Sequence, residues 1–167
     1  FKAIDEAVNV PIVVQVMTEV PLSIDLLALL VREVPGVRYA KVENSPPGKS
    51  VAEAVAEIGD QLTIIGGASG SELIEELAAG SQGTMPHAAR AGSFVRIWDQ
   101  WHAGEHDAAR ETWQREIAPI LAIGPAVHKE LLRREGVIKH SHFRAPADHH
   151  LDAAALRQLD QVCEALG

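Results

Sequence analysis

Lys41 and Glu43 stand two residues apart in the run Val37-Arg38-Tyr39-Ala40-Lys41-Val42-Glu43, and their types and spacing make them the first place to look for chemistry. The run is mostly apolar and reads as a strand. Side chains alternate across a strand with period two, so both ionisable groups project to one side. On an exposed edge strand they would simply face water. Inside a sheet or barrel, two charges would be buried together, at a cost on the order of several kcal/mol unless they neutralise each other. A lysine in a dry pocket has its charged form disfavoured, and the free amine attacks carbonyl carbons to give a Schiff base. A carboxylate within reach of that imine can move protons to and from it, or to a departing hydroxyl. The alternative for Glu43 is a static pair with Lys41 or with an arginine.

Other candidates are weaker. Gly66-Gly67 before a helix offers a phosphate cradle, but the full dinucleotide fingerprint is absent. His87 follows the last strand-like piece and would sit at a pocket mouth or serve as a hydrogen-bonded structural histidine. His140-Ser141-His142 and His149-His150 raise the question of zinc. Neither pair has a cysteine or carboxylate motif beside it, so they read as solvated loop and no metal is expected. His102 and His106 flank Gly104 at a helix turn. Trp98, Trp101 and Trp113 fall in amphipathic helices and read as core or subunit contact.

The elements that must position Lys41 follow from periodicity. Phe1 to Val8 reads as the end of a helix with Ile4, Ala7 and Val8 on one face, and Ile12 to Val16 as a buried β-branched strand after Pro11. A helix from Leu22 to Glu33 stops at Pro35-Gly36, and the Val37 to Glu43 strand follows. Next come a Pro46-Pro47-Gly48 loop, a helix over Val51 to Ile58 and a strand over Leu62 to Ile65. Ser69 or Ser71 is expected to cap a helix over Glu72 to Ala79, with a last strand piece at Gly83 to Pro86. Strand starts near 12, 37, 62 and 83 repeat at the length of one β-α unit. Such repetition implies a parallel sheet with helices outside, either open and doubly wound or closed as a barrel, and four units are half of an eight-stranded barrel. From Ala88 the pattern is helical, with segments around Phe94 to Trp101, Ala108 to Ile123, Val127 to Arg134 and, after a loop with Pro146, Leu151 to Leu166. The expected division is therefore 1–87 for the β/α units and 88–167 for the last barrel helix and helical tail. No linker or low-complexity tract separates them.

Composition bounds the class. At 167 residues, 47% apolar and 23% charged, the chain suits one globular domain. No apolar run is long enough to span a bilayer and no signal peptide is apparent, so no membrane role and a cytoplasmic location are expected. The first residue is Phe1, with no initiator methionine, and the sequence reads as beginning within a longer protein. A net charge of −8 argues against nucleic acid as a partner. The basic run Lys129 to Arg134, interrupted by Glu130, reads as a solvated helix face. The lone Cys163 forms no internal disulfide and fits a reducing compartment.

Taken in order, Val10-Pro11-Ile12-Val13-Val14, Tyr39-Ala40-Lys41-Val42-Glu43, Ile64-Ile65-Gly66-Gly67 and Gly80-Ser81-Gln82-Gly83-Thr84-Met85 resemble the dihydrodipicolinate synthase and N-acetylneuraminate lyase superfamily of class I aldolases and dehydratases. The tail, with Val127-His128-Lys129-Glu130-Leu131-Leu132 and Gly136-Val137-Ile138, looks like the family's closing helices. The resemblance implies an α/β fold, the C-terminal half of a TIM (β/α)8 barrel followed by helices. It implies Lys41 as the imine-forming lysine, Gly67 at the pocket side, and Met85 on the last strand with backbone lining the pocket. Two departures stand out. Gln15-Val16 occupies the place of a Tyr-Asn pair whose phenol relays protons, and Met17 to Ser23 lacks the carboxylate-clamping arginine. The Lys-x-Glu pair with Gly83-Thr84-Met85 looks more like a branch acting on 2-oxo-3-deoxy sugar acids.

The expected function is a Schiff-base lyase, aldolase or dehydratase, acting on a 2-oxo acid such as pyruvate or a 2-oxo-3-deoxy sugar acid. Lys41 is the nucleophile and Glu43 the proton carrier, with Gln15, Gly67, Thr84, Met85 and His87 around the substrate. The imine is its own electron sink, so no cofactor is expected, and family members imply a homo-oligomer, dimer or tetramer. The competing expectation is a non-catalytic relative or half-barrel fragment that binds a ligand or partner.

Overall fold

A computed structural model describes residues 1–144 and 150–167; the expected loop through Pro146 and the residue His149 lie outside the described residues. The chain divides into two units, Phe1–Pro86 and His87–Gly167, so His87 falls in the second.

In the first unit, helix α1 (Lys2–Ala7) precedes strand β1 (Ile12–Met17), helix α2 (Ile24–Glu33), strand β2 (Val37–Glu43), helix α3 (Pro47–Ile58), strand β3 (Thr63–Ile65) and helix α4 (Leu73–Ala78). The strands form one parallel sheet in the order β1-β2-β3. Gly66 adds a parallel bridge to Thr84, where the last strand piece was expected. One sheet face carries Val14, Val16, Ala40, Val42 and Ile64, buried against Leu27 of α2 and Val51, Ala54 and Ile58 of α3. The helices thereby cover the aliphatic face and the core follows from period-two alternation.

The other face holds Val13, Gln15, Tyr39, Lys41, Glu43, Thr63 and Ile65, with Gln15 beside Lys41 and Lys41 beside Ile65. Val13 and Tyr39 are 41% and 38% exposed there. β1 is thus half-buried rather than the fully buried strand its apolar run suggested, because the described residues of this unit cover only one side of the sheet. α1 likewise buries none of its residues.

Helix starts differ from expectation for local reasons. α2 begins at Ile24 because the Ser23 hydroxyl accepts from the Leu26 amide. α3 begins four residues early, at Pro47, since a proline at the first turn gives up no needed N–H. Neither Ser69 nor Ser71 caps α4; its N-cap is Glu72, with no side-chain bond, and Ser69 lies in the left-handed region of a short 3-10 turn at φ 59°.

The second unit is helical: α5 (Ala91–His102), α6 (His106–Glu116), α7 (Ala118–Leu121), α8 (Val127–Arg134) and α9 (Ala153–Leu166). Its core joins Ala89, Ile120, Val127, Leu131 and Leu159. The expected helix over Ala108 to Ile123 is two helices, broken at Ile117 (φ −112°, ψ −53°), two residues before Pro119. The face of α8 expected to be solvated contains a buried carboxylate: Glu130 accepts from Arg133 and Arg134 at 2.6 to 3.0 Å. Those bonds hold it down to about pKa 2 against the effect of burial. Trp98 and Trp101 are half-buried; the Trp98 ring lies tilted against His102 at 3.9 Å and the Trp101 ring stacks on His106 at 4.1 Å. Among the described residues, no helix is long and apolar enough to cross a membrane.

Candidate functional site

Lys41 and Glu43 sit at the C-terminal end of β2, the central strand of the parallel sheet. That end is where β/α folds gather their reactive groups, because the loops that follow each strand converge there. Lys41 Nζ lies 3.0 Å from Glu43 Oε1, with the side chains only 18% and 13% exposed. The period-two argument therefore gives a close ion pair.

Glu43 is held from three directions. Besides Lys41, the Gln15 side-chain amide donates to Oε2 at 2.6 Å and the Ala68 backbone amide donates to Oε1 at 2.5 Å. Burial pushes its carboxyl pKa up, but the hydrogen bonds from Ala68, Lys41 and Gln15 outweigh this and hold it below the usual carboxylate range. Gln15, which cannot titrate, thus orients the carboxylate that can. The register pairing of Gln15 with Lys41 makes this possible, since the two residues sit side by side on adjacent strands.

Gly67 closes the site. A Cβ there would overlap Glu43 Oε1 and come within 2.5 Å of Lys41 Cε and 2.7 Å of Glu43 Cδ. Space alone therefore calls for a glycine at this position. The bridge from Gly66 to Thr84 brings in the last segment, with the Met85 amide donating to the Gly66 carbonyl at 3.1 Å. The Met85 side chain is 46% exposed, so it is the backbone of Met85 that engages the Gly66 strand end. Thr84 Oγ1 is buried without a hydrogen-bond partner.

His87 belongs to the second unit. Its ring stacks on His128 at 3.5 Å and meets Phe94 edge-on at 5.5 Å, both within the second unit. Burial, with His128 alongside, lowers its pKa to about 4. The structure brings together Lys41, Glu43, Gln15 and Gly67 by direct contact, and Thr84 and Met85 through the Gly66 strand end. It gives His87 different neighbours. His140 and His142 have ring centres 5.7 Å apart, and no three metal-ligating side chains converge among the described residues.

One residue escaped the sequence reading. Glu76 on α4 is completely buried, and a Cβ on Gly66 would overlap its Oε2 and lie 2.8 Å from its Oε1. The signal was present: with Leu73 and Leu77, Glu76 occupies the apolar stripe of α4 at helical spacing, where a carboxylate is out of place.

No family model matches the chain. It is 29% identical to an L-2-keto-3-deoxyarabonate dehydratase of Azospirillum brasilense, over 87% of this chain and 50% of that protein. Among solved structures it is similar to dihydrodipicolinate synthase from Rhodopseudomonas palustris, with a TM-score of 0.83 at 21% identity, covering 96% of this chain and 56% of that one. A putative dihydrodipicolinate synthetase from Pseudomonas aeruginosa gives a TM-score of 0.85 at 23% identity, over 99% and 59%. The chain spans about half the length of the relatives it matches. Its fold is that of the C-terminal half of a (β/α)8 barrel of this kind, followed by helices. The likeness thus extends over nearly the whole of this chain and the corresponding half of each barrel.

Proposed function

We propose that this chain carries the imine-forming half of a class I lyase site, acting as a dehydratase on a 2-oxo-3-deoxy sugar acid. The observation that carries the reading is the Lys41–Glu43 pair, 3.0 Å apart and largely shielded from water at the end of the central strand. The likeness to a 2-keto-3-deoxy sugar acid dehydratase supports the substrate class.

The chemistry follows from the geometry. Glu43 takes a proton from the Lys41 ammonium, and the free amine attacks the C2 carbonyl; Glu43 returns that proton to the carbinolamine hydroxyl, which leaves as water and gives a protonated imine. The imine draws electrons from C2, so Glu43 takes a proton from C3 and an enamine forms. The enamine then expels the C4 hydroxyl, which leaves as water with the proton Glu43 took from C3. A final hydrolysis returns Lys41 as an amine. Gln15 keeps Glu43 aimed through these exchanges, a role that needs a donor and no titration. Gly67 leaves room for the pair, and the backbone of Thr84 and Met85 lines the same strand end. The functional unit is a homo-oligomer, dimer or tetramer, binding its 2-oxo acid without a metal.

Incubation with pyruvate or a 2-oxo-3-deoxy sugar acid, then borohydride, is expected to leave a reduced adduct whose mass maps to Lys41. Adduct on other lysines only, or none, would refute the imine mechanism. It would favour the second reading, a ligand-binding relative, which rests on the non-titrating Gln15.

A further inference from the structure

The most unusual buried group in the first unit is Glu76, a carboxyl with no exposure at all and with neither oxygen in a hydrogen bond of ordinary geometry. It faces Gly66, the residue before the glycine that bounds the Lys41–Glu43 pair. The two glycines form a wall one backbone thick: on one side a Cβ would strike Glu76, on the other it would strike Glu43 and Lys41. We propose that Glu76 is a positioning residue for the lyase site, its buried carboxyl bracing the Gly66-Gly67 wall from behind so that Glu43 and Lys41 keep their pairing in front. The inference rests on the reading of that site given above.

A neutral carboxylic acid can be enclosed here, whereas an unpaired carboxylate would have to be rehydrated. Rehydration means opening the packing of α4 on the strand end, and the wall is the part that gives. Burial raises the pKa of Glu76 to about 7, and the Gly67 amide opposes this without overcoming it. Glu72 and Glu75 on its own helix and Glu43 on β2 push in the same direction. Lys41 on β2 lies across the wall and is paired with Glu43. Lys49 on α3 is exposed and paired with Glu53, and Glu72 accepts from the Gly48 amide at 2.9 Å. No cation is therefore offered to Glu76 by these elements. Ionisation would also set a second negative charge behind Glu43, whose aim depends on the neighbouring Ala68 amide.

The test compares the native chain with Glu76→Gln, which keeps the shape and removes the proton equilibrium. The rate of borohydride-trapped adduct formation is measured from pH 6 to 9. The ratio of variant to native cancels the titration of Lys41 and the chemistry of the trap. It is expected to stay near one below pH 7 and to rise about tenfold per pH unit above it, as the protonated fraction of Glu76 falls. Backbone amide shifts of Gly67 and Ala68 in the native protein should move with a midpoint near pH 7, and should not do so in the variant. A flat ratio, or amides that titrate only with a midpoint near 4.5, would overturn the proposal. If no adduct forms in either protein, the lyase reading fails by itself. The amide titration then decides whether Glu76 braces the wall, and it decides the same if the variant does not fold.

Discussion

Replacing Gly67 with alanine adds a single methyl group where the structure has Lys41 and Glu43. The new Cβ would come within 2.5 Å of Lys41 Cε and 2.7 Å of Glu43 Cδ. Carbon atoms in contact prefer about 3.5–4.0 Å, so each side chain must withdraw by about 1 Å. Both can do so, because the struck atoms are near the ends of flexible chains, and the fold should survive. Withdrawal of Glu43 loosens its bonds to the Ala68 and Gln15 amides, 2.5 and 2.6 Å long. For a partly shielded carboxylate this costs about 1–2 kcal/mol of stability. The effect on reactivity is expected to be larger, since a misplacement of about 1 Å at a reacting group lowers rates on the order of 100-fold. The assay is the rate of trapped adduct on Lys41, with the unfolding midpoint in urea as the stability readout. Gly92→Ala serves as control, because a Cβ there meets nothing within 4 Å. An alanine at position 67 that leaves the adduct rate within threefold of native would refute the reasoning.

Two further outcomes follow from the charges. Glu43→Gln removes the proton carrier but keeps the shape, and the adduct rate should fall by about 100-fold or more with little change in unfolding midpoint. A native-like rate would assign Glu43 to a static pair. The pKa of folded His87 is lowered from 6.5 to about 4, so the unfolded chain binds the proton more readily. The stability of the second unit should therefore be intact above pH 6.5 and decline by about 1–3 kcal/mol as the pH falls towards 4. His87→Phe should flatten that decline in urea titrations at successive pH values; an unchanged slope would show that another group carries it.

Much of the fold was legible because one face of each element is apolar. β2 over Val37–Glu43 and α8 over Val127–Arg134 have the bounds that their patterns gave. The misses trace to particular residues. Pro46-Pro47-Gly48 reads as a loop to a rule that treats proline as a breaker, although Pro47 sits where a helix has no use for its N–H. Pro119 was overlooked inside an otherwise continuous helical stripe, and the chain breaks just ahead of it. The open face of β1 was invisible because an apolar run carries no record of how many sides are covered. At the site, the geometry of Lys41 and Glu43 was readable from strand alternation alone. Gln15 as the orienting donor required the strand register, which no single strand specifies. Glu76 is marked in the sequence only by its place on the apolar stripe of a short helix, where a glutamate ordinarily faces solvent, and tertiary packing is what encloses it.

The pairing of Gln15 with Lys41 on adjacent strands has a meaning for folding as well. A slip of β2 by one residue would swing Lys41 and Glu43 into the aliphatic layer under α2 and α3, and would turn Ala40 and Val42 out to face water. Such an arrangement costs several kcal/mol in stranded charge and lost burial. The ionic pair thus polices alignment during assembly, and a variant that neutralises both members should tolerate mispaired sheets that the native chain rejects.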